Sequence, residues 1–332
     1  MIQTNPAPRN VPEWQRELSH ALRSPAELLA ALGLPAGLAA ATVADFPLRV
    51  PRPFVARMRR GDPHDPLFLQ VWPRPQEQTT APDERDDAVG DLGRLRAGGL
   101  IHKYRGRALV VATGACAVHC RYCFRRHFPY ADHFAGNDRW QATLREIAAD
   151  RSIEEVILSG GDPLSLPDDK LAPLAEALEF IPHVRRLRIH TRQPVVLPQR
   201  VDEALLAWLR RGRLQKVIVV HVNHAQELDG PLRAALALLR GTGATLLNQS
   251  VLLRGVNDDA GVLADLSESL FAAGVLPYYL HMTDRVRGTA HFRVPEPEAL
   301  GLVREVSARL PGYLVPRLVR EDAGAPSKTP LL

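Results

Sequence analysis

Beyond about Ile101 the chain alternates short β-rich runs with amphipathic stretches, and this alternation narrows the possible folds more than any other feature. The runs are ALVVAT (108–113), EVILS (155–159), RLRIHT (186–191), KVIVVHV (216–222), TLLNQSV (245–251) and VLPYYL (275–280). They recur roughly every 30 residues, the length of a βα unit. Between them, DKLAPLAEALEF and DEALLAWLRR carry apolar residues at three- and four-residue spacing, as a helix with one buried face requires. Strands connected in this way lie parallel with right-handed crossovers, in an open doubly wound sheet or an incomplete barrel. Both architectures place chemistry at the carboxyl ends of the strands.

The motifs obey that rule. CxxxCxxC follows ALVVAT, SGGDP follows EVIL, HTRQP follows RLRI, and HVNH follows KVIVV. NQS ends TLL, and HMTD follows LPYYL. Chance agreement at every strand is improbable, so one shared site is expected.

The region before the alternation reads differently. Val11 to Gly33 suggests two short helices, the second announced by Ser24, Pro25 and Glu27 as N-cap, first-turn proline and capping-box acid. The Pro-rich and charged residues 47–89 read as loops crossing between domains. No apolar run approaches the roughly 20 residues of a membrane span, and MIQTNPAPRN lacks the apolar core of a signal peptide. A cytoplasmic protein with no membrane contact is expected. The net charge of +5 is small and scattered through arginines such as Arg185, Arg186 and Arg188. Direct nucleic-acid binding would call for a clustered basic stripe, so none is expected.

The only three cysteines, Cys116, Cys120 and Cys123, fall in the run CAVHCRYC. An odd, tightly clustered set makes a poor disulfide framework. Thiolates suit iron-sulfur clusters and zinc, and three in one loop can hold three irons of a cubane while leaving the fourth open. Zinc with His119 as a fourth ligand, or three unligated thiols, are the alternatives. The spacing after a strand, with Tyr122 before the last cysteine, resembles radical S-adenosylmethionine enzymes. That resemblance implies a [4Fe-4S] cluster whose open iron chelates S-adenosylmethionine, with Ser159, Gly160, Gly161 and Asp162 forming a second ligand loop whose glycines admit close backbone approach.

A closer resemblance rests on CRYCFRR, LSGGDPLSL, TRQPVVLPQR, HVNHAQE, NQSVLLRGVND, HFRVP and PSKTP. Together, from about residue 46 to the end, these resemble the lysine 2,3-aminomutase family. The carboxyl-terminal GYLVPRLVREDAGAPSKTP looks most like the branch that makes (R)-β-lysine for modification of elongation factor P. The resemblance implies pyridoxal 5′-phosphate carried on Lys328, hydrogen removal from the β-carbon of L-lysine, and migration of the α-nitrogen. By the same resemblance, Arg125 meets the substrate carboxylate, while Lys103 and Arg107 lie near the cofactor phosphate. His221 and Gln249 lie near S-adenosylmethionine. Asp284 contacts the substrate ε-ammonium, and Glu321 stands where lysine enzymes have a second aspartate. Where several members place a zinc-binding cysteine this chain has Asp259, so no structural zinc is expected and a homo-oligomer becomes less certain.

The expected architecture is a partial (β/α)6 barrel of radical S-adenosylmethionine type over residues 99–310. A helical and loop extension spans 1–98, and a carboxyl-terminal arm carrying the pyridoxal lysine spans 311–332. Implied partners are a cellular one-electron reductant and a ligase acting on elongation factor P. Two other readings stay open: an aminomutase supplying free β-lysine to other metabolism, and a non-catalytic iron-sulfur electron carrier.

Overall fold

The computed structural model describes residues 11–38, 46–133 and 137–332. The amino-terminal segment read above as lacking a leader lies outside the described residues. Among the described residues, ten strands form one sheet in chain order. They are β1 (Leu95–Arg96), β2 (Leu100–Tyr104), β3 (Arg107–Thr113), β4 (Glu155–Gly160), β5 (Arg186–Thr191), β6 (Gln215–Val220), β7 (Thr245–Val251), β8 (Leu276–His281), β9 (Arg317–Arg320) and β10 (Thr329–Pro330). From β3 to β9 every pairing is parallel, whereas β1–β2, β2–β3 and β9–β10 are antiparallel. The sheet is thus a partial barrel, as expected, with one more parallel strand than the six anticipated.

Side-chain alternation connects this sheet to the site. In β5, Leu187 and Ile189 enter the core between sheet and helices, while Arg188 and His190 line the cavity inside the barrel. In β7, Leu246 joins that core and Gln249 and Val251 face the cavity. A period of two allows one strand to serve both layers. β4 is buried along its whole length, which suits a central parallel strand covered on both faces.

At the amino-terminal end, helices Glu13–Ser19 and Pro25–Leu32 are present, and Ser24 and Glu27 form the expected capping box. Residues 47–89 are more than crossing loops. They contain short helices at Arg52–Val55 and Pro66–Leu69 and a tight turn at Pro75–Gln78. Phe54, Leu67, Phe68, Val71 and Trp72 are buried in a second core that also takes in Ala117, Val118 and Tyr122 of the cysteine loop. Prolines and charges dominate this stretch, but its scattered aromatics and leucines form the floor under the cysteine loop.

The carboxyl-terminal segment is also built in. β9 adds in parallel to β8, and β10 folds back on β9 with Thr329 opposite Arg320. Continued one position, that register sets Lys328 across from Glu321. Among the described residues, no helix is long and apolar enough to cross a membrane.

Candidate active site

A cavity of about 590 Å³ opens at the carboxyl ends of the strands, lined by Cys116, Cys120 and Cys123 and by Lys328, Arg125, Asp284 and Glu321. Lys103, Arg107, Tyr122, Ser159, Gly160, Gly161, Asp162, His221 and Gln249 line it too. Every residue singled out from the sequence therefore reaches one space.

The three cysteines are free thiols. Burial pushes Cys116 well up, helped by Cys123 and Cys120, and raises Cys123 to about 11, helped by Cys120. Such thiols ionise when iron supplies the positive charge. Among the described residues, no three His, Cys, Asp or Glu groups are placed to hold a single ion. Three thiols lining one cavity suit a polynuclear cluster, in which each takes its own iron. His119 gives its Nδ1 to the Pro47 carbonyl at 2.7 Å and stacks on Phe46.

The glycines of the second loop serve a different contact from the one expected. A Cβ on Gly161 would lie 2.4 Å from the Ala115 carbonyl oxygen, and one on Gly160 would lie 2.5 Å from that of Thr113. The Gly161 and Asp162 amides donate to Thr113 and Ala115 at 2.7 and 2.8 Å. The glycines thus seat this loop on the cysteine loop, beside the cavity that both line. Asp162 accepts from Leu164 N, Thr191 Oγ1, Arg192 N and Gln193 N, which ties β3, β4 and β5 together at the rim.

A buried hydrogen-bonded lattice lies beneath Tyr122. Its hydroxyl meets Asn223 Nδ2 at 2.6 Å and lies 2.9 Å from His221 Nε2, and Arg192 Nη1 donates to it. Arg192 also reaches Cys120 Sγ at 2.8 Å, Gln70 Oε1 at 2.6 Å and Glu227 Oε2 at 3.1 Å. Tyr122 therefore anchors the wall of the cavity, with its ring stacked on His221. Burial, aided by nearby cations, holds His190, His221 and His281 well below the usual imidazole range, so all three are neutral donor-acceptors.

At the opposite end, charges pair differently from the expectation. Lys103, expected near a phosphate, sits between Asp91 at 2.9 Å and Glu321 at 2.6 Å. Because Asp91 also pairs with Arg125 and Glu321 with Lys328, the cluster of three cations and two carboxylates keeps a net positive charge. Glu321, expected at the substrate ammonium, holds both Lys103 and Lys328 and accepts from the Tyr104 hydroxyl. Burial alone would raise the Glu321 pKa, but the two ammonium groups hold it well below the usual carboxylate range. Arg125 is paired with Asp91 at 2.8 Å and donates to Ser159 Oγ at 3.1 Å. A guanidinium has five N–H donors, so these contacts do not exhaust it. Arg107 lies over the Tyr104 ring, 4.7 Å from its centroid, and among the described residues no carboxylate pairs with it. Asp284 is the odd acid. Among the described residues its carboxyl has no hydrogen-bond or ion-pair partner, and burial together with the negative charge of Glu321 raises its pKa to about 7.

Asp91, Arg192, Gln70 and Glu227 were not foreseen from the sequence. Of these, Arg192 in the strand-end motif HTRQP and Glu227 at the end of HVNHAQE lay within motifs already singled out.

A partial barrel whose first parallel strand ends in a three-cysteine loop facing a ligand-sized cavity defines a radical S-adenosylmethionine enzyme. Residues 110–261 match the family described as the Radical SAM superfamily. The chain is 49% identical over 325 residues to L-lysine 2,3-aminomutase of Escherichia coli (strain K12), covering 96% of this chain and 94% of that protein. It is 46% identical over 332 residues to that of Haemophilus influenzae, covering 99% and 98% of the two chains. To that of Clostridium subterminale it is 34% identical over 273 residues, covering 82% of this chain and 65% of the other. The chain belongs to the lysine 2,3-aminomutase family. Membership brings a [4Fe-4S] cluster and S-adenosylmethionine.

Proposed function

We propose that this chain converts L-α-lysine to (R)-β-lysine by 2,3-amino migration, with pyridoxal phosphate on Lys328 and the cluster on Cys116, Cys120 and Cys123. The observation that carries the reading is Asp284, an unpaired acid facing the same cavity as Lys328 and the three thiols. An ammonium is the ligand that such an acid lacks.

When bound, the cluster and S-adenosylmethionine supply a hydrogen-abstracting 5′-deoxyadenosyl radical, and pyridoxal phosphate supplies the π-system across which the nitrogen moves. The protein's part is positional. Asp284 takes the substrate ε-ammonium, and Arg125 offers its remaining N–H groups to the carboxylate while Asp91 and Ser159 fix its plane. Glu321 holds Lys328 at the cavity wall, and the β9–β10 register sets their separation. Arg107 is the cation available to the cofactor phosphate. Leu109, Ile157 and Val251 give the cavity apolar walls that keep water from the reacting atoms.

The carboxyl-terminal resemblance supports delivery of the product to a cytoplasmic ligase acting on elongation factor P. The test is anaerobic incubation of reconstituted protein with L-lysine, S-adenosylmethionine and dithionite, followed by chiral separation of the amino acids. (R)-β-lysine is the expected product. Its absence from protein carrying both cofactors would refute the proposal.

A further inference from the structure

Arg192 has no part in the positional scheme above, yet it is a buried cation held directly against a cysteine sulfur. Its backbone amide is pinned at the end of β5 by Asp162 at 2.7 Å. Its guanidinium is fixed on one edge by Gln70 and Glu227, and Nη1 points at Cys120 Sγ, 2.8 Å away. Phe54 and Tyr122 flank the planar group, with centroids 5.4 and 5.6 Å from its central carbon. The residue is only 7% exposed, and Nε is sealed from solvent with no partner. Glu227, 0% exposed, is itself locked by the amides of Asn223 and His224 at 2.8 and 3.1 Å. The ion pair is therefore a fixed dipole with its positive end on the sulfur.

We propose that Arg192 is a positioning residue that raises the reduction potential of the cluster by holding a buried positive charge against the Cys120 sulfur, with Glu227 as the opposing charge behind it. This inference rests on the reading that the three cysteines hold the cluster. Reduction adds one electron from the one-electron donor to the cluster and nothing leaves, so the reduced form carries one more negative charge. Hydrogen bonds to cluster sulfurs and local net charge set such potentials. A cation in a site of low dielectric favours the more negative form. Arg192 touches only the Cys120 sulfur among the three, so the effect enters through one ligand. Glu227 must act with the opposite sign, and no loss of folding would produce that pairing of effects.

The test compares reconstituted wild-type protein with Arg192→Gln, Arg192→Lys and Glu227→Gln in anaerobic redox titrations followed by the electron paramagnetic resonance of the reduced cluster. Iron content is measured on each protein, and wild-type protein without about four irons per chain would mark failure of the cluster assignment itself. In Arg192→Gln, the reduced-to-oxidised ratio at a fixed potential should fall at least tenfold, a shift of 59 mV for a one-electron couple. In Glu227→Gln the ratio should rise, and Arg192→Lys should lie closer to wild type than Arg192→Gln does. Unchanged midpoints in iron-replete Arg192→Gln and Glu227→Gln, or shifts of both in the same direction, would overturn the proposal. If Arg192→Gln fails to take up iron, Glu227→Gln decides alone, and the absence of a positive shift refutes it.

Discussion

Replacing Asp284 by Asn should make the substrate-free protein more stable at alkaline pH and the enzyme worse, a pairing of opposite signs that follows from one acid in the cavity wall. An ordinary aspartate titrates near 3.8, but here burial and the charge of Glu321 move the pKa to about 7. The folded protein thus keeps a proton that the unfolded chain has released between those two values. Stability from this group is complete below the lower value and is lost as pH rises through the higher one. Each pKa unit is worth 1.36 kcal/mol, so a shift of about three units costs the folded state at most about 4 kcal/mol above neutrality. Asn removes that cost. At pH 8 the substrate-free variant should melt a few degrees above wild type, and at pH 4 the advantage should vanish. Lysine binding reverses the preference, because the ammonium supplies the missing partner. Loss of one charge-assisted hydrogen bond costs about 1.5–3 kcal/mol, so kcat/KM for lysine at pH 8 should fall roughly 10- to 100-fold. The wild-type value should climb between pH 6 and 8 as Asp284 ionises, and the variant's profile should lack that climb. Differential scanning fluorimetry and initial-rate assays across pH 5–9 check both halves. A variant with the wild-type pH profile, or one destabilised equally at every pH, would refute the reasoning.

Three further outcomes are expected. Cys120→Ala should lose the cluster and all turnover, as read by iron analysis and product chromatography; full activity would end the radical reading. Lys328→Ala should lose the proposed pyridoxal adduct while retaining iron, since Lys328 and the three cysteines lie on separate segments of the chain, and borohydride reduction with peptide mapping locates the modified lysine. Gly161→Ala forces a Cβ to within 2.4 Å of the Ala115 carbonyl, so the two loops must separate. Its cost should be of the order of 1–3 kcal/mol, typical of a strained or overpacked buried site, with weaker S-adenosylmethionine binding by equilibrium dialysis.

The barrel was legible because its strands are short, buried and regularly spaced, and because each ends in a polar motif that a parallel sheet must place on one rim. The β1–β2 strands escaped notice. Gly98, Gly99 and Gly106 punctuate them, and their residues alternate only weakly in polarity. Residues 47–89 were misjudged for a related reason. Composition averages a window, whereas Phe54, Phe68 and Trp72 are single side chains buried by tertiary contact. The cysteines and Lys328 stood out through motif and resemblance, but the partners of the charged groups could not. Arg125 finds Asp91 34 positions earlier, and Lys103 finds Glu321 218 positions later. No local pattern encodes such pairings.

The pairings also join two residues that family position had treated apart. Lys103 and Glu321 were assigned separately, one to a phosphate and one to an ammonium, because each was matched by position in the chain. The sheet instead makes them neighbours: β2 brings in Lys103, and the β9–β10 turn brings in Glu321 with Lys328 opposite. Two ammonium groups and the Tyr104 hydroxyl converge on one glutamate whose longer side chain reaches them all. Among the described acids lining the cavity, Asp284 is then left with no side-chain partner at all. An extra methylene at position 321 thus lets one carboxylate hold Lys103 and Lys328 together, and on the proposed reading the charge that meets lysine's far end is Asp284.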